Sequence, residues 1–326
     1  MTYNHSSYIK EAMDGFCSQQ TNFPFVCVIM DDASSDGEQD ILNNYLQENF
    51  DLDDESISYT EETANYNLIF ARHKTNCNCY FAVFLLKENH YQKKSKNQYL
   101  KKEWINTKYI ANCEGDDYWV DSLKLQKQVD FLESHPDYSL VFHNALFHYE
   151  NGHQPDHRAN DFPTGRFYNL QPNIIGKIPT ASMVYRSNIY ISKLFQECKN
   201  SSKIYVGDVP LTLCCDVYGK IYCFNDVMSV YRIHPTNWTN TKEKFRSYKY
   251  LFQDIELLKI FKGKYDDSFK NAIARKSIDF FLLIKEKEFK KAFILITNCL
   301  RYSPIKSIRV LFLHFSDKIK RELELI

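Results

Sequence analysis

Glycine is scarce in this chain, with nine in 326 residues, and none stand as GxGxxG or GxxxxGK[ST]. Both patterns need glycine so that the backbone can approach a phosphate closely, and their absence removes the main signature of Rossmann dinucleotide sites and P-loops. None of the ten cysteines forms CxxC; Cys77 and Cys79 make CxC, and Cys214 and Cys215 are adjacent. That is neither a zinc spacing nor a disulfide framework. Cys27, Cys113 and Cys223 sit inside apolar runs and read as small core residues, which fits a reducing, cytoplasmic setting. No apolar run reaches ~18 residues, so neither a spanning helix nor a signal peptide is expected. Net charge is lacking too, with 41 Lys and Arg against 41 Asp and Glu. The balance is uneven, however: Thr241 to Ile326 holds 20 basic against 11 acidic residues, and Met1 to Asn240 holds 21 against 30. An acidic body argues against a nucleic-acid partner. The basic tail could face anionic lipid, an acidic partner or solvent.

What is present is strand–helix alternation, which predicts an α/β sheet with parallel pairs. A helix is expected over Ser7 to about Gln20, with Ser6 or Ser7 as its cap and Ile9, Ala12, Met13 and Phe16 on one face. Phe25 to Met30 is a continuous apolar run, expected as a strand buried on both faces. A polar turn, Asp31 to Gly37, and a second helix follow. Cys77 to Lys108 reads as an insertion. Tyr109-Ile110-Ala111 predicts another strand, and Leu125, Val129 and Leu132 mark a helix stopped near His135-Pro136. From Thr241 onward the pattern is helical. Ile305, Ile308, Leu311, Phe312, Phe315 and Ile319 form one stripe, which suits a packed surface helix or an interfacial membrane helix.

The chain is organised around Glu114-Gly115-Asp116-Asp117-Tyr118-Trp119. Three carboxylates in four residues repel one another, and a hard divalent cation is the simplest compensation. A solvated turn that caps the next helix is the alternative. A second acidic turn, Asp31-Asp32, also follows an apolar strand. Carboxyl ends of parallel strands share one sheet edge, so the two turns are expected to meet.

The order and flanks of these turns resemble family 2 glycosyltransferases of the GT-A fold. The resemblance runs over about Met1 to Trp238. It rests on Thr2-Tyr3-Asn4, Met30 to Gly37, Glu114 to Trp119 with Lys124-Leu125-Gln126-Lys127-Gln128, Gly207-Asp208, and Tyr231-Arg232-Ile233-His234. It implies a Rossmann-like, mixed and mostly parallel sheet flanked by helices, with a domain over 1–240 and a helical extension over 241–326. It implies that Thr2 and Tyr3 line a nucleoside pocket and that Asp32 accepts a hydrogen bond from the base. Asp116 and Asp117 would hold metal (Mn2+ or Mg2+) and ribose between them, with Glu114 at the first position of a DxD-type motif. Asp208 matches the general base, His234 a histidine near the metal or diphosphate, and Trp119 the floor of the acceptor side. Taken on their own, Asp32 and Asp208 could each be a helix cap, and His234 a loop histidine.

Three departures stand out. Met1 directly precedes Thr2, where the family carries a central first strand; a truncated start, another segment in its slot, or lost stability is expected. Glu replaces the usual Asp at position 114. Asn67 stands where glycine is usual in the Asn65 to Arg72 segment, with a left-handed turn expected there. The resulting expectation is an inverting, metal-dependent transferase that moves sugar from a nucleotide-sugar, a UDP-sugar by preference, to a saccharide or lipid-linked hydroxyl in surface polysaccharide synthesis. The acceptor would be chosen at the Cys77–Lys108 segment, with peripheral membrane contact through the basic tail. A catalytically inactive scaffold of the same fold and a nucleotidyltransferase are the rivals.

Overall fold

The computed structural model describes residues 1–90, 96–100, 104, 107–150, 152, 155–160, 162–167, 177–235, 246–283, 294, 297–298 and 301–302. The chain divides into two compact units. The first takes the described residues of Met1–Tyr168, Lys177–Tyr190 and Cys215–Asn237, and the second those of Ile191–Cys214 and Trp238–Ile326. A single cut at 240 was expected; instead the second unit draws residues 191–214 out of the expected first domain.

Two sheets build the first unit. One contains β1 (Phe25–Asp31), β2 (Phe50–Asp51), β3 (Tyr59–Glu62), β4 (Tyr66–His73) and β5 (Cys79–Leu86), in the order β1-β5-β4-β2 with β3 on β4. The other contains β6 (Tyr109–Ala111), β7 (Tyr118–Trp119), β8 (Tyr138–Tyr149), β9 (His157–Arg158), β10 (Gly165–Phe167), β11 (Val184–Arg186) and β12 (Lys220–Ile233), in the order β10-β12-β8-β11-β6. Among the described strands, only β1 with β5 and β8 with β12 pair in parallel. The expectation of a mostly parallel sheet is therefore corrected. Lys74 to Asn78 is too short for a crossover, so β4 and β5 close as an antiparallel hairpin.

Cys79–Leu86 is no insertion. Its apolar residues make it the most buried strand of its sheet, in register with β1 from Phe25–Cys79 to Asp31–Leu85. By contrast β1 is half-buried from Phe25 to Val28 and buried only from Ile29. Among the described residues no further strand pairs with β1 on its side away from β5. There Met1 and Thr2 make one short contact: Thr2 forms a single parallel bridge with Asp31. Asn67 lies inside β4, and its φ is not positive, so the left-handed turn expected there does not form.

Helices α1 (Ile9–Cys17), α2 (Glu38–Asn49) and α3 (Lys124–Ser134) cover the sheets. Helix α1 turns Ile9, Ala12, Met13 and Phe16 into the core, as its spacing predicts, but no side chain caps it: the Ser6 N–H donates to Asp36 instead. Phe81, at the centre, packs on Phe50, Phe16 and Tyr45. In the second unit Asp208–Tyr218 starts a helix, and the helices Arg246–Ile260 and Asp266–Leu283 pack on each other. Lys276 pairs with the buried Asp254 there at 2.6 Å. No helix among the described residues is long and apolar enough to cross a membrane. The stripe from Ile305 to Ile319 lies outside them.

Candidate active site

The two acidic turns do meet, and the start of the chain joins them. The Thr2 N–H donates to the Met30 carbonyl (3.0 Å) and the Thr2 carbonyl accepts from the Asp32 N–H (3.1 Å). On the other side the Met1 carbonyl accepts from the Gly115 N–H (3.3 Å). Glycine is required at 115 by proximity: a Cβ there would lie 2.4 Å from Thr2 Oγ1 and 2.7 Å from Thr2 Cβ. Gly115→Ala is expected to cost about 1–3 kcal/mol through overpacking, checked by urea unfolding.

Asp32 is buried and already oriented. Its Oδ1 accepts from the His90 N–H (2.8 Å), and its carbonyl accepts from Asn89 Nδ2 (3.0 Å). Left-handed backbone at Asn4 (φ 56°) and Ala33 (φ 59°) brackets the pair Thr2 and Asp32. At Ala33 this is a strained state of the kind that clusters at functional sites. Thr2 is buried, whereas Tyr3 is exposed.

The acidic turn is held from β12. The Arg232 N–H donates to Asp117 Oδ1 (3.0 Å), and Arg232 Nε donates to the Asp116 carbonyl (3.1 Å). Its guanidinium pairs with Glu150 (2.6 Å) and Glu11, and lies between the rings of Tyr8 and Tyr118. Two residues on, the buried His234 presents Nε2 at 3.2 Å from Asp116 Oδ2. His5 Nε2 stands 3.9 Å from the same oxygen. Asp117 is buried, and its Oδ2 has no hydrogen-bond partner. Burial, then the charges of Glu114 and Asp116, hold its carboxyl well above the ordinary range.

Trp119 does not face an open surface. Its ring is buried against Phe16 (4.8 Å), its Nε1 donates to the Ala181 carbonyl (3.0 Å), and Lys124 Nζ lies 4.2 Å from the ring centroid. Lys124 itself is fully buried, with Nζ donating to Gln128 Oε1 (2.9 Å). Burial brings its ammonium down to about 7. Unfolding therefore takes up a proton between about pH 7 and the free-lysine value, and stability rises with pH across that window. Lys124→Met is expected to flatten this slope by up to about 1.4 kcal/mol per pH unit, read from unfolding at pH 7.5 and 9.5.

Asp208 belongs to the second unit. It opens its helix, with Oδ1 accepting from the Val209 N–H (2.7 Å), and burial raises its carboxyl above the ordinary range. Asp116 Oδ2 and His234 Nε2, 3.2 Å apart, stand near the separation of about 3.0 Å that bonds of about 2.1 Å give neighbouring ligands of a cation. The partnerless Asp117 Oδ2 and this pair are oxygen and nitrogen groups of the kind a divalent ion accepts. Among the described residues no three His, Cys, Asp or Glu side chains form a ready-made metal group. Sequence reasoning passed over His5, Arg232 and His90. Arg232 lies inside a quoted motif and His5 directly after one, but only the fold shows that they converge on Asp116.

Residues 1–79 match the family model described as Glycosyl transferase family 2. The match supports a family 2 glycosyltransferase-like domain, and it includes Thr2, His5 and Asp32 but not the acidic turn. Uncharacterized proteins of Mycobacterium bovis and of two strains of Mycobacterium tuberculosis are each 34% identical over 157 residues. That alignment takes in 47% of this chain and 35% of each relative. The chain thus spans about a third of the length of the curated relatives it matches.

Proposed function

We propose that this chain is an inverting, metal-dependent glycosyltransferase that takes a nucleotide-sugar, a UDP-sugar by preference, as donor. The observation that supports the reading is the link through Met1 and Thr2, which ties the turn of Asp31 and Asp32 to the turn of Glu114 to Asp117. Asp32, oriented by the His90 N–H, accepts from the base ring. Thr2 and Tyr3 flank the nucleoside. Asp116 and His234 would hold Mn2+ or Mg2+, which would supply positive charge against the leaving diphosphate. Asp117 and Glu114 complete the acidic turn, and Trp119 supports it from the core. Asp208 is assigned as the base on the resemblance alone. Its raised carboxyl suits uptake of a proton from an acceptor hydroxyl. The acceptor oxygen bonds the anomeric carbon, the carbon–oxygen bond to the diphosphate breaks, and the proton passes to the carboxylate. A single displacement of this kind inverts the centre. The acceptor is a saccharide or lipid-linked hydroxyl in surface polysaccharide synthesis; this part rests on the resemblance alone.

The test is nucleoside diphosphate release from a panel of UDP- and GDP-sugars with manganese, supplied with saccharide acceptors. Release from one nucleotide class, lost in Asp208→Asn while nucleotide binding persists, supports the reading. Binding without release from any donor favours the inactive scaffold.

A further inference from the structure

The loop that leads into Asp208 is held by a helix far along the chain. In Arg246–Ile260, Lys249, Gln253 and Glu256 follow one another at helical spacing and share one face. That face meets residues 201–206. The Ser201 hydroxyl donates to Glu256 (3.3 Å), Lys203 pairs with the same carboxylate (3.8 Å), and Lys249 Nζ lies 5.8 Å from the centre of the Tyr205 ring. Between Lys249 and Glu256 stands Gln253, only 1% exposed. Its Oε1 accepts from two successive main-chain N–H groups, those of Tyr205 (2.8 Å) and Val206 (3.1 Å). Of the two ends of an amide only the oxygen accepts, so these partners fix which way the side chain is turned. Both N–H groups lie just ahead of the helix Asp208–Tyr218 and have no acceptor within it. The next residue, Gly207, gives its carbonyl to the Leu211 N–H (3.1 Å), and Asp208 Oδ1 takes the Val209 N–H (2.7 Å). The Gln253 anchor is thus two residues from the Asp208 carboxylate. The adjoining face of the helix is fixed in turn, for Lys276 donates to Asp254 (2.6 Å) and lies 5.7 Å from the centre of the Tyr250 ring. All of these residues belong to the second unit.

We propose that Gln253 is a positioning residue for Asp208: by holding the Tyr205 and Val206 N–H groups it sets where the Asp208 carboxylate stands, which gives the helix Arg246–Ile260 a part in the reaction. The proposal rests on the assignment of Asp208 as the base and deepens it. A surface loop opens locally at little cost unless its main-chain groups are bonded. A base displaced by about 1 Å can lose about 100-fold in rate. Acting through Asp208 alone, Gln253 bears on the transition state and not on donor binding, so its loss lowers kcat and leaves the donor KM in place.

The experiment compares the full chain with Gln253→Met, which keeps the length of the side chain and removes its amide oxygen. Hydrogen exchange follows the amides of Tyr205 and Val206. Turnover is read as UDP release from UDP-sugars with Mn2+, with and without Asp208→Asn. Gln253→Met should speed exchange at both amides about 10-fold or more and lower kcat about 10- to 100-fold, with the donor KM within about twofold of wild type. Added to Asp208→Asn, it should change the residual turnover by less than about twofold, because the two residues act as one unit. Should Gln253→Met fail to fold, Gln253→Asn, which keeps the amide but draws it back by one methylene, is read in the same way. Faster exchange with unchanged kcat in a folded variant overturns the proposal and leaves the base assignment standing. So does unchanged exchange, or a loss of kcat that is as large beside Asp208→Asn as in the wild type. Full turnover in Asp208→Asn alone overturns the base assignment and the proposal with it. A wild type that releases no UDP from any donor overturns the transferase reading itself.

Discussion

Arg232→Met lowers the unfolding free energy by about 3 kcal/mol. Removing one partner of a buried ion pair costs about 3–5 kcal/mol, because the remaining charge is left without its counterpart. Arg232 is almost wholly buried, and its guanidinium serves Glu150, Glu11 and the Asp116 carbonyl together. Glu11 is more than half exposed and regains water when the pair is lost, which holds the cost to the lower end. The Arg232 N–H bond to Asp117 Oδ1 is main-chain and survives the substitution, so the turn loosens rather than vanishes. Arg232→Lys keeps one charge but cannot span all three acceptors, so it recovers part of the loss. Urea unfolding of the three proteins gives the order wild type, Lys, Met.

Asp116→Asn reduces transfer roughly 10²–10³-fold, the size of losing one preorganised electrostatic contact to developing charge. An amide keeps the shape but offers a cation no formal charge. It leaves His234 Nε2 at 3.2 Å from a neutral group. The fold loses little, since removing a charge beside Glu114 and Asp117 relieves repulsion. The expected signature is therefore a large fall in turnover with an unchanged or slightly raised melting temperature. A fall in both together would place Asp116 among the structural residues.

Part of this was legible in the sequence because acidic turns after apolar strands mark candidate sites. The two turns were expected to meet on one sheet edge; they follow strands of two different sheets, β1 and β6, and are linked through Met1 and Thr2 instead. His234 followed from its motif. Strand direction was not legible: an apolar run such as Phe81 to Leu86 says that a strand is buried, not which neighbour it runs with, and β4–β5 closed antiparallel. Nothing in the sequence marks Lys124 as buried, since lysine carries a charged end, yet its ammonium lies on Trp119 and donates to Gln128. His5 was invisible for another reason. Its partners Thr2, Glu38 and Asp116 are scattered along the chain, and only the bridge at Thr2 brings them to one point. The interleaved units escaped notice because the composition does not change at residues 191–214.

The central claim is that the edge built by Thr2, Asp32 and the acidic turn binds a nucleoside diphosphate with a divalent cation. The most direct measurement is the melting temperature with UDP or GDP, each with and without Mn2+. Binding to the folded state alone stabilises by about 2.7 kcal/mol at a hundredfold excess over Kd. The account predicts a rise with UDP that grows when Mn2+ is added and loses its metal-dependent part in Asp116→Asn. A cooperative transition that neither nucleotide moves, with or without Mn2+, would contradict it.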